Sequence, residues 1–169
     1  QWRSHQSKQD VHASVLFQQY VTAQGAGKAK ILAELQKDFA STPYPALASL
    51  LAAKEYNAKS DWKNAANSLY WPMRHASMLP LKQIARLRLA ETFYQQAQYK
   101  QALQTLEVVQ DPSYIAAVNQ LRGDIYLAQG DTKHAKMSFD AARAWLQENQ
   151  LPTPILNRQL ANLSLHNKK

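Results

Sequence analysis

The chain has 169 residues, within the range of a single domain and enough to bury a core. Hydrophobic residues make up 46% and charged residues 19%, a globular balance that argues against intrinsic disorder; the absence of cysteine excludes disulfides, thiolate metal sites and thiol catalysis. The formal charge is +8, from 20 Lys and Arg against 12 Asp and Glu, which leaves nucleic acid or an anionic membrane surface open as partners.

Only four glycines occur, alanine is abundant, and Val108-Val109 is the one adjacent β-branched aliphatic pair, so helix is expected throughout. No apolar run approaches the roughly 20 residues needed to span a bilayer. The sequence opens at Gln1 rather than at a methionine, and further chain upstream is expected.

In chain order, residues 1–10 read as a disordered terminal segment ahead of the first apolar period. Val11, Val15, Leu16, Tyr20 and Ala23 then fall at helical spacing; Gly25-Ala26-Gly27 reads as a turn, and Ile31, Leu32, Leu35 and Phe39 continue the pattern, giving a degenerate hairpin over 11–40. Gly25-Ala-Gly27-Lys28 resembles the end of a phosphate-binding loop, but Thr22 and Ala29 stand where that loop needs a glycine and a Ser or Thr. Thr42-Pro-Tyr-Pro45 breaks the chain. The next hairpin covers about 46–72 and carries Ala52, Ala53, Tyr56, Ser60-Asp61-Trp62, Ala65 and Leu69. Trp71-Pro72 predicts a short or kinked second helix, and Met73 to Pro80 a long connection. Arg74, His75, Lys82, Arg86 and Arg88 form the densest basic stretch. Leu79, Leu81, Ile84, Leu87 and Leu89 interleave it, so it reads as the solvated face of an amphipathic helix.

A third hairpin, about 81–111, carries Leu89, Ala90, Phe93, Ala97, Tyr99, Ala102, Leu106 and Val109, and Asp111-Pro112 is expected to end it. The fourth, about 114–148, carries Leu121-Arg-Gly-Asp-Ile-Tyr126, Gly130-Asp131, Ala135, Phe139 and Ala142. Leu151-Pro-Thr-Pro154 breaks the chain again, and 155–165 forms a last helix with Leu156, Leu160 and Leu163 inward.

The last three hairpins repeat in phase, at spacings of 37 and 33 residues. Gly123 lets two helices approach closely, Tyr126 fills the hairpin interior, Gly130-Asp131 turns the chain and caps the next helix, and Ala135 and Phe139 close the core. These offsets match the tetratricopeptide (TPR) signature, although Asn119 and Arg122 replace its tryptophan and leucine. The expected fold is all-α: a TPR-like right-handed α-solenoid of about nine helices, with a C-terminal capping helix over the last apolar face. Tyr56, Trp62, Phe93, Tyr99, Tyr126 and Phe139 occupy repeat-core positions, which favours packing over base stacking.

No catalytic, cofactor or metal constellation emerges. None of the five histidines, His5, His12, His75, His134 and His166, pairs at i, i+3 or i+4 in a metal-binding motif, and no Gly-x-Ser-x-Gly elbow occurs. Partner binding is expected on the concave face formed by the first helix of each hairpin. Its positions are Leu47, Leu50, Lys54 and Asn57, then Leu87, Glu91, Tyr94 and Gln95, then Gln120, Asp124 and Leu127; this mixture of apolar and polar groups suits an extended or helical segment.

Tyr44-Pro-Ala-Leu-Ala-Ser-Leu50, Leu87-Arg-Leu-Ala90, Leu121-Arg-Gly-Asp124, Gly130-Asp131, Thr153-Pro154 and Asn162-Leu163-Ser164, in this order and spacing, resemble the YfgM-like proteins of Gram-negative bacteria. The resemblance covers about 13–164. It implies a short cytoplasmic segment and one transmembrane helix upstream, then a periplasmic TPR-like domain at the inner membrane. It further implies a non-catalytic ancillary subunit of the SecYEG translocon, associated with a PpiD-like periplasmic chaperone. Gln1-Trp2-Arg3-Ser4-His5 suits the juxtamembrane stretch of such a protein. Another envelope-assembly TPR scaffold, and a basic α-solenoid binding nucleic acid, are the alternative readings.

Overall fold

The structure, a computed structural model, describes the backbone of residues 2–166 and the side chains of residues 8–164. The side chains of Trp2 and Arg3, on which the juxtamembrane reading rests, lie outside them. Among the described residues there are nine α-helices, one short 3-10 turn and no strand. They form two compact units, Gln1–Thr92 and Phe93–Lys169.

In the first unit, α1 (Trp2–Thr22) and α2 (Gly25–Asp38) form the degenerate hairpin. The backbone of α1 is helical from Trp2, well ahead of Val11, where the apolar periodicity begins. The expected Gly25-Ala-Gly27 turn is displaced: the link is Ala23-Gln24, and both glycines belong to the first turn of α2, with Gly25 at φ 59°. Ala13, Tyr20, Leu35 and Ala48 form the core here, with Phe17, Ile31, Leu32, Phe39 and Tyr44 packed around it.

The second hairpin is α3 (Tyr44–Ala58) and α4 (Trp62–His75). Pro45 lies in the first turn of α3, where a missing N–H costs nothing. Ala46, Ala52 and Ala53 on α3 and Ala65, Ala66 and Leu69 on α4 are buried, and the small side chains let the two axes close. Pro72 does not end α4: the helix runs to His75, and the Ala76 N–H bonds back to the Pro72 carbonyl. Pro72 sits one turn from the helix end, and its apolar ring is fully buried. The expected long connection shrinks to 76–78, and α5 (Leu79–Gln95) begins at once.

The second unit contains α6 (Tyr99–Glu107), the 3-10 turn η1 (Pro112–Tyr114), α7 (Ile115–Ala128), α8 (Thr132–Glu148) and α9 (Pro154–His166). α6 ends at Glu107, before Asp111-Pro112; the proline opens η1 instead, and the Asp111 carboxylate accepts the Ser113 N–H at 2.9 Å. Ala135, Phe139 and Ala142 of α8 pack with Leu156, Leu160 and Leu163 of α9, and Tyr126 of α7 leans on the same cluster. α9 thus covers the apolar face of the last hairpin, as the sequence pattern predicts.

Four helix ends share one device. The N–H groups of Asp61, Gln98, Asp131 and Leu151 bond to the carbonyls five residues back, of Tyr56, Phe93, Tyr126 and Leu146, at 2.8–2.9 Å. The preceding residues, Ser60, Ala97, Gly130 and Gln150, have φ between 56° and 79°. This is the Schellman termination, which satisfies the last carbonyls of a helix through one left-handed residue. Asp61 and Asp131 then cap the following helix by accepting the N–H groups of Asn64 and His134.

Candidate peptide-binding groove

A cleft of about 490 Å³ opens in the first unit along one side of α3. Phe17 of α1, Leu47, Leu50, Leu51, Ala53, Lys54 and Asn57 of α3, and Ile84, Arg88 and Glu91 of α5 line it. Four of the eleven residues predicted for a binding face, Leu47, Leu50, Lys54 and Asn57, meet here, and Glu91 joins them from α5. Their spacing explains why. Steps of three or four residues keep side chains on one face of a helix, so Leu47, Leu50, Lys54 and Asn57 share a stripe.

The cleft is chemically graded along its length. Phe17, Leu47, Leu50, Leu51 and Ile84 come from the earlier turns of α3 and α5 or from α1, and Phe17 packs against Tyr44 with ring centroids 5.6 Å apart. The later turns supply Lys54, Asn57, Arg88 and Glu91. Asn57 Nδ2 donates to Thr92 Oγ1 at 3.2 Å, and Thr92 Oγ1 donates to the Arg88 carbonyl at 2.9 Å, so this end is tied from α3 to α5. Arg88 Nη1 donates to both carboxylate oxygens of Glu91, at 2.8 and 3.0 Å. Lys54 is exposed and has no carboxylate within ion-pair distance among the described residues.

Leu87 corrects the predicted register. It is 5% exposed and belongs to the interior. Gln83, Ala85, Leu87, Leu89, Ala90 and Thr92 of α5 are all buried, so this helix is enclosed on more than one side and its apolar period does not single out an open face.

The remaining predicted positions lie in the second unit. The Tyr94 and Tyr99 rings stand 6.2 Å apart, and burial, then Asp124 and Tyr99, pushes the Tyr94 phenol up. Asp124 is half-buried and accepts a hydrogen bond from Gln159 Nε2 of α9 at 2.9 Å; burial pushes its carboxyl up, and the Gln159 bond pulls it partly back. Gln120 is half-buried, while Gln95 and Leu127 are exposed, Leu127 at 42%. Asp124 is therefore already engaged by the capping helix.

A family model described as a tetratricopeptide repeat-like domain matches residues 1–165. A protein of Escherichia coli (strain K12) named Ancillary SecYEG translocon subunit is 34% identical over 142 residues, 83% of this chain and 69% of the relative. Proteins of the same name from Aggregatibacter actinomycetemcomitans and Haemophilus influenzae are each 31% identical, over 98% of this chain and 79% of their own length. The chain belongs to this YfgM-like family. No solved structure matches it significantly.

In this YfgM-like chain, sequence reasoning missed two polar features. Lys28 Nζ lies 2.6 Å from Glu55 Oε1 and 4.8 Å from the centre of the Tyr20 ring, joining α2, α3 and α1. The lysine after the glycines therefore braces the N-terminal hairpin. His134 Nδ1 lies 2.6 Å from Asp131 Oδ2, an i, i+3 pair at the start of α8. Among the described residues no three His, Asp or Glu side chains are grouped to hold a metal ion. No local signal marks Lys28–Glu55, 27 residues apart, whereas Asp131–His134 was readable from its spacing.

Proposed function

We propose that this chain is the periplasmic domain of a membrane-anchored, non-catalytic ancillary translocon subunit. On this reading the first-unit cleft holds a segment of a partner protein and links the SecYEG translocon to a PpiD-like chaperone at the periplasmic face of the inner membrane. The name shared by relatives over most of this chain supports the translocon. The observation that carries the binding role is the cleft itself, an open apolar surface of ligand-sized volume with a polar group at one end. No helix among the described residues is long and apolar enough to cross a membrane.

Leu50→Asp tests this reading. It places a carboxylate on the apolar floor of the cleft, at a half-buried position outside the core. In cells carrying the membrane-tethered protein, the variant is expected to accumulate with wild-type helicity yet lose co-purification with the translocon or the chaperone. Undiminished co-purification of both by a folded Leu50→Asp protein contradicts the cleft as the binding surface. Envelope-assembly proteins captured in place of either partner would favour the alternative scaffold role.

A further inference from the structure

The two ends of the first-unit cleft are not equivalent, and we infer that its occupant is a short apolar segment flanked by acidic side chains, seated with the acidic end beside Lys54 and Arg88. The inference rests on reading the cleft as a partner-binding surface and specifies what that surface selects.

Three observations carry it. The apolar side chains Phe17, Leu47, Leu50, Leu51 and Ile84 gather at one end and the charged ones at the other, so a bound segment must match that order. At the charged end Glu91 is already bound to Arg88 Nη1 through both oxygens, whereas Lys54 pairs with no carboxylate among the described residues. Two cations against one engaged anion leave that end net positive. Finally, residues 1–92 contain 12 Lys and Arg against 6 Asp and Glu, six of the eight net positive charges of the chain. The cleft therefore lies on the more basic of the two units, which accelerates encounter with acidic segments and opposes basic ones.

Leu47 to Asn57 spans about 15 Å of helix. At about 3.3 Å per residue, an extended strand crosses that length in four or five residues. Three apolar residues followed by one or two carboxylates fill the graded cleft. A basic flank would meet Lys54 with like charge.

Three fluorescein-labelled peptides with free ends blocked provide the test: Leu-Leu-Val-Leu-Glu-Glu, Leu-Leu-Val-Leu-Lys-Lys and Ser-Ser-Gly-Ser-Glu-Glu, titrated with the full chain by fluorescence anisotropy at low and high salt. The Glu-ended apolar peptide is expected to bind about fivefold or more tighter than the Lys-ended one at low salt, a preference that shrinks at high salt. Lys54→Glu should reverse the order, and Leu50→Asp should abolish binding of both. Equal affinity of the two apolar peptides, unchanged by Lys54→Glu but lost in Leu50→Asp, overturns the acidic preference while leaving the cleft reading intact. Equal binding of Ser-Ser-Gly-Ser-Glu-Glu means that the surface charge alone attracts the peptide and overturns the inference. Binding that ignores Leu50→Asp, or no binding by either apolar peptide, overturns both.

Discussion

A Cβ built on Gly123 would lie 2.3 Å from Phe139 Cε1 and 2.5 Å from Phe139 Cδ1, so α7 meets α8 through a bare backbone against a fully buried ring. Alanine at 123 would gain about 1 kcal/mol in helix preference over glycine. An extra methyl against a ring with no room to move costs about 1–3 kcal/mol. The clash wins, and Gly123→Ala is expected to lower the unfolding free energy by about 1 kcal/mol in urea titration. Phe139→Leu on that background should cost less than it does in the wild type. Strictly additive losses would mean that the ring does not limit position 123.

The helix-ending residues divide by chemistry. Gly130 takes φ 79° without strain, but Ala97 and Ser60 take φ 56° with a Cβ in place. A left-handed L residue costs about 1–2 kcal/mol, of which the greater freedom of glycine in the unfolded chain cancels about half. Ala97→Gly and Ser60→Gly should each stabilise by about 0.5–1 kcal/mol, and Gly130→Ala should destabilise by a similar amount. Thermal midpoints moving the other way would contradict the assigned turns.

Asp124 should make stability pH-dependent. Burial, offset in part by the Gln159 bond, holds its folded pKa above the unfolded value. Such a group contributes stability that is fully present below the unfolded pKa and is lost as pH rises through the folded one. As pH rises towards neutral the half-buried carboxyl loses that contribution, while the buried Gln159 Oε1 accepts no hydrogen bond among the described residues. Asn at 124 keeps an acceptor for Gln159 Nε2 and adds a donor that Oε1 lacks. Asp124→Asn is expected to gain about 0.5–1 kcal/mol at pH 7, and the gain should shrink towards pH 3. A gain that grows on acidification would reverse the sign of this account.

Tyr20 acts at the opposite end of the pH scale. Burial first, then Glu55 and Tyr56, pushes its phenol up to about 12. Its contribution is fully present below the unfolded pKa near 10 and declines as pH rises through about 12. Stability measured from pH 9 to pH 11.5 should fall more steeply in the wild type than in Tyr20→Phe. Parallel curves would place the Tyr20 hydroxyl in water.

Repeat phase was legible because it depends on side-chain size at fixed offsets. Gly123, Ala135 and Phe139 mark a close helix crossing, and Ser60, Ala97 and Gly130 recur where the chain must turn. Leu156, Leu160 and Leu163 likewise announced the capping helix. The face of α5 was not legible, since burial around Leu87 erases the amphipathic period. Pro72 misled because one apolar proline near a helix end can be buried without stopping the helix. Gln159–Asp124, 35 residues apart, depends on where α9 docks and leaves no local trace. The charged end of the cleft was half visible: Lys54 and Glu91 fell in register, but Arg88 and its bond to Glu91 did not.

On the proposed function, the first-unit cleft holds a partner segment. The most direct measurement is site-specific photo-crosslinking in cells, with a photoreactive residue at Leu50 in the cleft or at the exposed Lys63 of α4, which does not line it. Position 50 is expected to capture a translocon or chaperone component, and Leu47→Asp is expected to remove the adduct. Adducts from position 63 and none from position 50 would contradict this reading.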